Sequence, residues 1–121
     1  MQVSSKDHFL YHKTTHRDVY DRELASAISA RCDDALFFNE RGELTEGAVH
    51  NIFIVKDGVW KTPPIQSGLL PGTYRGKILR EHPDAREELL TLEDLVRAEE
   101  IHLCNSVRGL YAVELSNPSQ G

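Results

Sequence analysis

An α/β fold built on a mixed, barrel-like sheet is the architecture this sequence predicts. Three observations carry that expectation. Short apolar, β-prone runs recur at residues 34–39, 51–55, 101–104 and 110–115. Tight hairpin turns join some of them, at residues 40–43 and at Asp57-Gly58. Helical stretches are interleaved with these hairpins and do not alternate one-for-one with strands, which argues against a doubly wound parallel sheet.

The elements follow in chain order. Phe9, Leu10, Tyr11 and His12 are aromatic and β-prone, so residues 8–13 read as a strand ending at Lys13. A helix is expected from Thr15, with Asp18 at capping-box spacing. Its apolar stripe is Tyr20, Leu24, Ala27 and Ile28, and it runs to about Arg31. Residues 34–39 form the next strand; the turn at 40–43 returns the chain into strand at Leu44 and Thr45. Residues 51–55 and 59–62 make a second hairpin, stopped by Pro63 and Pro64. Leu69, Leu70, Pro71 and Gly72 form a loop that opens a helix from about Thr73 to Glu81, ended by His82-Pro83. A short strand is expected at residues 86–90, and Thr91 to Asp94 starts a short helix through Leu95, Val96 and Ala98. Strands at 101–104 and 110–115 close the chain. No internal repeat or linker divides it, so residues 1–121 are expected to form a single domain.

Composition narrows the functional classes. Hydrophobic residues make up 40% and charged residues 27%, ordinary values for a folded chain. A net charge of −5, with no local Lys/Arg run, excludes a nucleic-acid or anionic-membrane surface. Cys32 and Cys104 make no disulfide framework, and no apolar run approaches about 18 residues, so a reduced cytoplasmic protein is expected.

Several residues invite chemistry. His8, His12 and His16 recur every four positions, but on a strand that spacing spans about 13 Å, too far for one metal ion. Leu70-Pro71-Gly72-Thr73 at a helix start offers backbone N–H groups and a positive dipole end, an anion site or simply a glycine N-cap. Asn105-Ser106 places a hydroxyl and backbone donors at a strand end. Lys13, ending an apolar strand, reads on spacing alone as a snorkelling lysine.

Taken together and in order, these stretches resemble a family. The run His12-Lys13-Thr14-Thr15-His16-Arg17 comes first, then Leu44-Thr45-Glu46-Gly47 with Asn51-Ile52-Phe53. Thr62-Pro63-Pro64, Gly68-Leu69-Leu70-Pro71-Gly72 with Arg75, and Asn105-Ser106-Val107-Arg108-Gly109 complete the set. The set resembles the fold-type IV pyridoxal 5′-phosphate (PLP) enzymes, specifically the C-terminal domain of the D-amino-acid aminotransferase-like fold. The Lys-Thr-Thr opening, residues 90–95 and the Asn-Ser-Val-Arg-Gly ending look most like 4-amino-4-deoxychorismate lyase, as found fused to p-aminobenzoate synthase component I.

The resemblance implies PLP as cofactor and a folate-pathway lyase that makes p-aminobenzoate and pyruvate. Branched-chain or D-amino-acid aminotransferase activity, or a non-catalytic remnant or interaction module, is the alternative. Lys13 matches the Schiff-base lysine, which also moves the substrate proton. Glu46 matches the carboxylate facing the pyridine nitrogen, against a turn residue as the plain alternative. The phosphate is expected at the helix start of Gly72, on the Thr73 and Tyr74 amides and the Ser106 hydroxyl. Tyr74 stands where aminotransferases of this group often carry a phosphate-binding threonine, so no side-chain contact is expected from it. Arg108 matches a contact to a substrate carboxylate or a rim charge, and Asn51 a structural hydrogen-bonder under the cofactor. His12 and His16 remain packing or surface residues.

Family enzymes are roughly twice this length, so the N-terminal domain is expected to be absent from this chain. The expected partners are a small-molecule substrate, an N-terminal domain or fused aminodeoxychorismate synthase component, and a second copy in a homodimer. The chain alone is expected to be nearly inactive.

Overall fold

In the computed structural model, residues 2–3, 12–13, 22, 25–26 and 32–115 are described. Strand Asn51–Lys56 (β5) shows why the chain folds as it does. Its residues 51–55 are all buried, and side chains alternate between the two faces of a strand, so β5 must be covered on both sides. On one face Ile52 and Ile54 pack with Leu36, Phe38, Leu44, Leu90, Leu95 and Leu103. On the other, Phe53 packs with Ile78 and Cys104, flanked by Trp60, Tyr74 and Leu110.

The strands before β5 are Gln2–Val3 (β1), His12–Lys13 (β2), Asp34–Phe38 (β3) and Leu44–Gly47 (β4). β3 pairs with β1 and β4 antiparallel and with β2 parallel, His12 facing Phe37 and Lys13 facing Phe38. The strands after β5 are Val59–Thr62 (β6), Arg86–Glu87 (β7), Glu100–Asn105 (β8) and Gly109–Val113 (β9). They form a second sheet in the order β7-β6-β5-β8-β9, in which only β6–β7 is parallel. Both sheets are therefore mixed, as expected.

Local signals set the junctions. Asp57 and Gly58 turn the β5–β6 hairpin with φ of 54° and 75°, the left-handed pair a two-residue I′ turn requires. Helix Thr73–Glu81 (α1) begins after Gly72 and ends with the His82 N–H donating to Ile78 O, one residue before Pro83. Helix Leu92–Val96 (α2) carries the capping box of Thr91 and Asp94.

Two expectations are corrected, and one linking turn is added. Residues 86–90 extend as strand only over Arg86–Glu87, because the following residues serve other partners: Glu88 pairs with Lys61 and Leu90 turns into the core. A 3-10 turn at Ile65–Ser67 links β6 to the loop before α1. Ala98 lies beyond α2. Arg22, Ala25 and Ser26 are helical, within the helix expected from Thr15. The rest of that helix and residues 8–11 lie outside the described residues.

Candidate functional site

Three connections converge at one end of the β5–β8 pair: residues 47–50, the loop before α1, and the turn between β8 and β9. They enclose a cavity of about 200 Å³ whose lining includes Glu46, Val49, His50, Leu70, Gly72 and Ser106.

The connection from β4 to β5 is held by one carboxylate. Asp34, fully buried at the start of β3, accepts at Oδ1 from the N–H groups of Ala35 (2.7 Å) and Ala48 (2.9 Å). At Oδ2 it accepts from the Val49 N–H (3.1 Å) and pairs with His50 Nδ1 (2.8 Å). Gly47 N donates to His50 O at 2.8 Å, closing the turn. A side chain at Gly47 is excluded, since its Cβ would lie 2.3 Å from Asp34 Oδ2. Buried carboxylates are tolerated when so many donors converge on them.

The loop before α1 is held from β4 and β5. Asn51 Nδ2 donates to Leu70 O (2.9 Å), and Asn51 Oδ1 accepts from Gly72 N (3.0 Å). Glu46 Oε1 accepts from Leu70 N at 3.2 Å. Gly72 occupies the N-cap position and offers no capping side chain, so the first N–H groups of α1 lack an intrahelical acceptor. Beside them, the Thr73 and Ser106 hydroxyls meet at 2.7 Å. The β8–β9 turn is shaped by Asn105, whose Oδ1 accepts from Val107 N and Arg108 N while its Nδ2 donates to Val49 O.

A helix start with two hydroxyls suits a phosphate, because N–H donors and the positive end of the helix dipole coincide there. Glu46 adds a carboxylate elsewhere on the same cavity wall. Helix-start N–H groups, two hydroxyls and a carboxylate are thus gathered around one space.

The expected site residues fall out unequally. Glu46, Gly72 and Ser106 line the cavity together, with Thr73 joined to Ser106. Tyr74 is the second residue of α1, but its side chain packs with the Phe53 cluster and approaches Gly109, so only its backbone is offered to an anion. Arg108 sits over the Tyr111 ring, 4.0 Å from its centroid, and reaches Asp33 at 3.4 Å. Lys13 lies on β2 beside Phe38; its side chain, with His8 and His16, lies outside the described residues. The Asn51 expectation of a structural hydrogen-bonder matches its two bonds to the loop.

Sequence reasoning missed Asp34, His50 and Tyr111. Tyr111 bonds His50 Nε2 through its hydroxyl at 2.9 Å. Burial pushes its phenol up to about 12; Arg108 opposes that, and Asp33 and Asp34 add to it. An acid opening an apolar strand was the one available signal for Asp34.

Residues 1–115 match the family model described as amino-transferase class IV. The chain is 36% identical over 88 residues to a Methanocaldococcus jannaschii protein assigned provisionally as a branched-chain-amino-acid aminotransferase, covering 69% of this chain and 31% of that protein. It is 33% identical over 101 residues to a Schizosaccharomyces pombe protein assigned provisionally as an aminodeoxychorismate lyase, covering 79% and 43%. The branched-chain amino acid aminotransferase of Escherichia coli shares the fold, with a TM-score of 0.74 at 28% identity over 84% of this chain and 36% of that one. A second branched-chain amino acid aminotransferase, solved with N-(5′-phosphopyridoxyl)-L-glutamate, shares it too. Its TM-score is 0.75 at 24% identity, over 84% of this chain and 35% of that one. The chain thus spans less than half the length of each relative.

Proposed function

Because the chain belongs to the class IV aminotransferase family, we propose that it is the cofactor-holding domain of a 4-amino-4-deoxychorismate lyase, which releases p-aminobenzoate and pyruvate. Its cofactor is pyridoxal 5′-phosphate, which supplies an electron sink when bound. The observation that carries the reading is the cavity on which the Glu46 carboxylate and the open start of α1 face one ligand-sized space.

Each residue then has a task. The Thr73 and Tyr74 N–H groups and the Ser106 hydroxyl hold the phosphate. Glu46 keeps a proton on the ring nitrogen, each pKa unit of that bias amounting to about 1.4 kcal/mol. Lys13 takes the proton from the amine-bearing carbon and returns it to the departing pyruvate, leaving an aromatic ring; acid–base help of this kind contributes typically 10²–10⁴-fold. Arg108 grips a substrate carboxylate with its planar fork, giving up the long 3.4 Å contact to Asp33. The rest of the active enzyme comes from a second domain or fused component, and a homodimer completes the assembly.

The lyase is favoured over amino transfer by His12-Lys13-Thr14-Thr15 and Asn105-Ser106-Val107-Arg108-Gly109 and by the lyase-assigned relative. Amino transfer is the second reading, favoured by the branched-chain relatives. The deciding experiment joins this domain to a matching N-terminal half, loads it with PLP, supplies aminodeoxychorismate and follows p-aminobenzoate and pyruvate. Branched-chain and D-amino acids with 2-oxoglutarate run in parallel. Product formation in the first assay is expected; amino transfer without p-aminobenzoate would overturn the lyase and leave the cofactor assignment intact.

A further inference from the structure

We infer that the chain Asp34–His50–Tyr111, buried at Asp34 and His50 and half-buried at Tyr111, is a positioning relay that holds the turn following Glu46 and the Arg108-bearing turn in one fixed relation. The inference rests on the roles proposed above for Glu46 and Arg108. Tyr111 lies on β9 opposite Leu103 of β8, whereas Asp34 and His50 belong to β3 and to the connection into β5. The relay therefore spans β8 and ties together strands that are not sheet neighbours.

The hydrogen bonds have a direction. Both Asp34 oxygens already accept from backbone N–H groups, so the carboxylate acts as acceptor and His50 Nδ1 as donor. In the neutral ring this leaves Nε2 as an acceptor, and the Tyr111 hydroxyl donates to it at 2.9 Å. A phenol held protonated by burial suits that direction. The imidazole and phenol also meet edge-on, with centroids 5.5 Å apart.

Burial says why this is more than a surface contact. Asp34 is fully buried, and the His50 side chain is 2% exposed. Polar groups placed so deep contribute little net stability compared with apolar packing, but they fix geometry, because each has few satisfied alternatives. At the near end the relay sets residues 47–50, one residue from Glu46 and one from Asn51. At the far end the Tyr111 ring carries the Arg108 guanidinium, so a rotation of the phenol moves Arg108 with it. Asn105, bonded to Val49 O, is a parallel strut between the same two turns.

The test titrates PLP into the full protein and into Tyr111→Phe, His50→Asn and the double variant. Affinity and the visible band of bound PLP are read, alongside the melting temperature without cofactor. Tyr111→Phe keeps the ring under Arg108 and loses only the hydroxyl; His50→Asn keeps an amide donor for Asp34 and loses the acceptor for Tyr111. Each single variant should weaken PLP about threefold to tenfold, the scale of one hydrogen bond, and shift the band. The double variant should lose no more than the worse single, since both break the same bond. Folded variants with wild-type affinity and band, or losses that simply add, would overturn the relay. Should His50→Asn not fold, Tyr111→Phe decides by affinity and band alone. A wild-type protein that takes up no PLP would overturn the cofactor-site reading together with the relay, whereas uptake with unaffected variants overturns the relay only.

Discussion

Replacing Gly72 by alanine should damage the site out of proportion to the single methyl added. The backbone there, φ −65° and ψ 156°, is open to any residue, so conformational strain is not the issue. The obstacle is Asn51, whose Oδ1 would stand 2.5 Å from the new Cβ. Asn51 cannot step aside cheaply, because it is 7% exposed and holds the loop by two bonds, to Gly72 N and Leu70 O. Losing two such bonds costs about 2–4 kcal/mol once the desolvated partners are included. For a chain of this size that is a drop of roughly 6–20 °C in melting temperature. Leu70 would shift with the loop, weakening its bond to Glu46, so PLP affinity should fall about tenfold as well. A double-mutant cycle isolates the cause. Asn51→Ala should destabilise alone by about 2 kcal/mol, and Gly72→Ala in that background should be nearly neutral. Thermal unfolding and PLP titration measure both. If Gly72→Ala costs the same with and without Asn51, the contact with the Asn51 carbonyl is not its cause and the stitched-loop argument fails.

Two further outcomes are expected. Borohydride reduction of the PLP-treated protein, with peptide mapping, should place the label on Lys13; an even spread over Lys6, Lys56, Lys61 and Lys77 would refute the assignment. Burial pushes the Cys104 thiol from 9.0 up to about 11, against the pull of Arg75, so the folded state favours the neutral thiol. Its contribution is complete below about pH 9 and is lost as pH rises towards 11, on the order of 2–3 kcal/mol. Cys104→Ala should flatten the decline in melting temperature across that window, and an unchanged alkaline profile would contradict the shift.

What could be read from the sequence was local. Asp57-Gly58, Leu70-Pro71-Gly72, His82-Pro83 and the Thr91–Asp94 box each act within a few residues, and each marks its boundary where the structure has it. β5 was legible because burial on both faces writes an unbroken apolar run. β7 was harder, since Glu87 and Glu88 give no apolar alternation and are held by Arg75 and Lys61. The candidate site was proposed only through resemblance. Glu46, Asn51 and Ser106 are ordinary turn and strand-end residues until their neighbours are known. The Asp34–His50–Tyr111 chain left no such trace, because its bonds join residues 16 and 61 positions apart and exist only once the sheet order is set.

The site is built by a different force from the one that builds its floor. β5 is held by apolar burial on both faces. The connections around the cavity cannot be, because the apolar side chains at their tips stay in solvent: Val49 is 43% exposed, Leu70 74% and Val107 91%. With their tip side chains unburied, the backbones there are fixed by side-chain hydrogen bonds from the strands behind. Asp34 binds the Val49 N–H, Asn105 the Val49 carbonyl and the Val107 N–H, and Glu46 and Asn51 hold the N–H and the carbonyl of Leu70. Hydrogen bonds are directional where apolar burial is not, so the tips keep their place to within a bond's tolerance while their side chains stay available. The same argument explains why polar residues sit at strand ends here: Asp34 opens β3, Asn51 opens β5 and Asn105 closes β8, each placed to reach a connection that packing alone would leave loose.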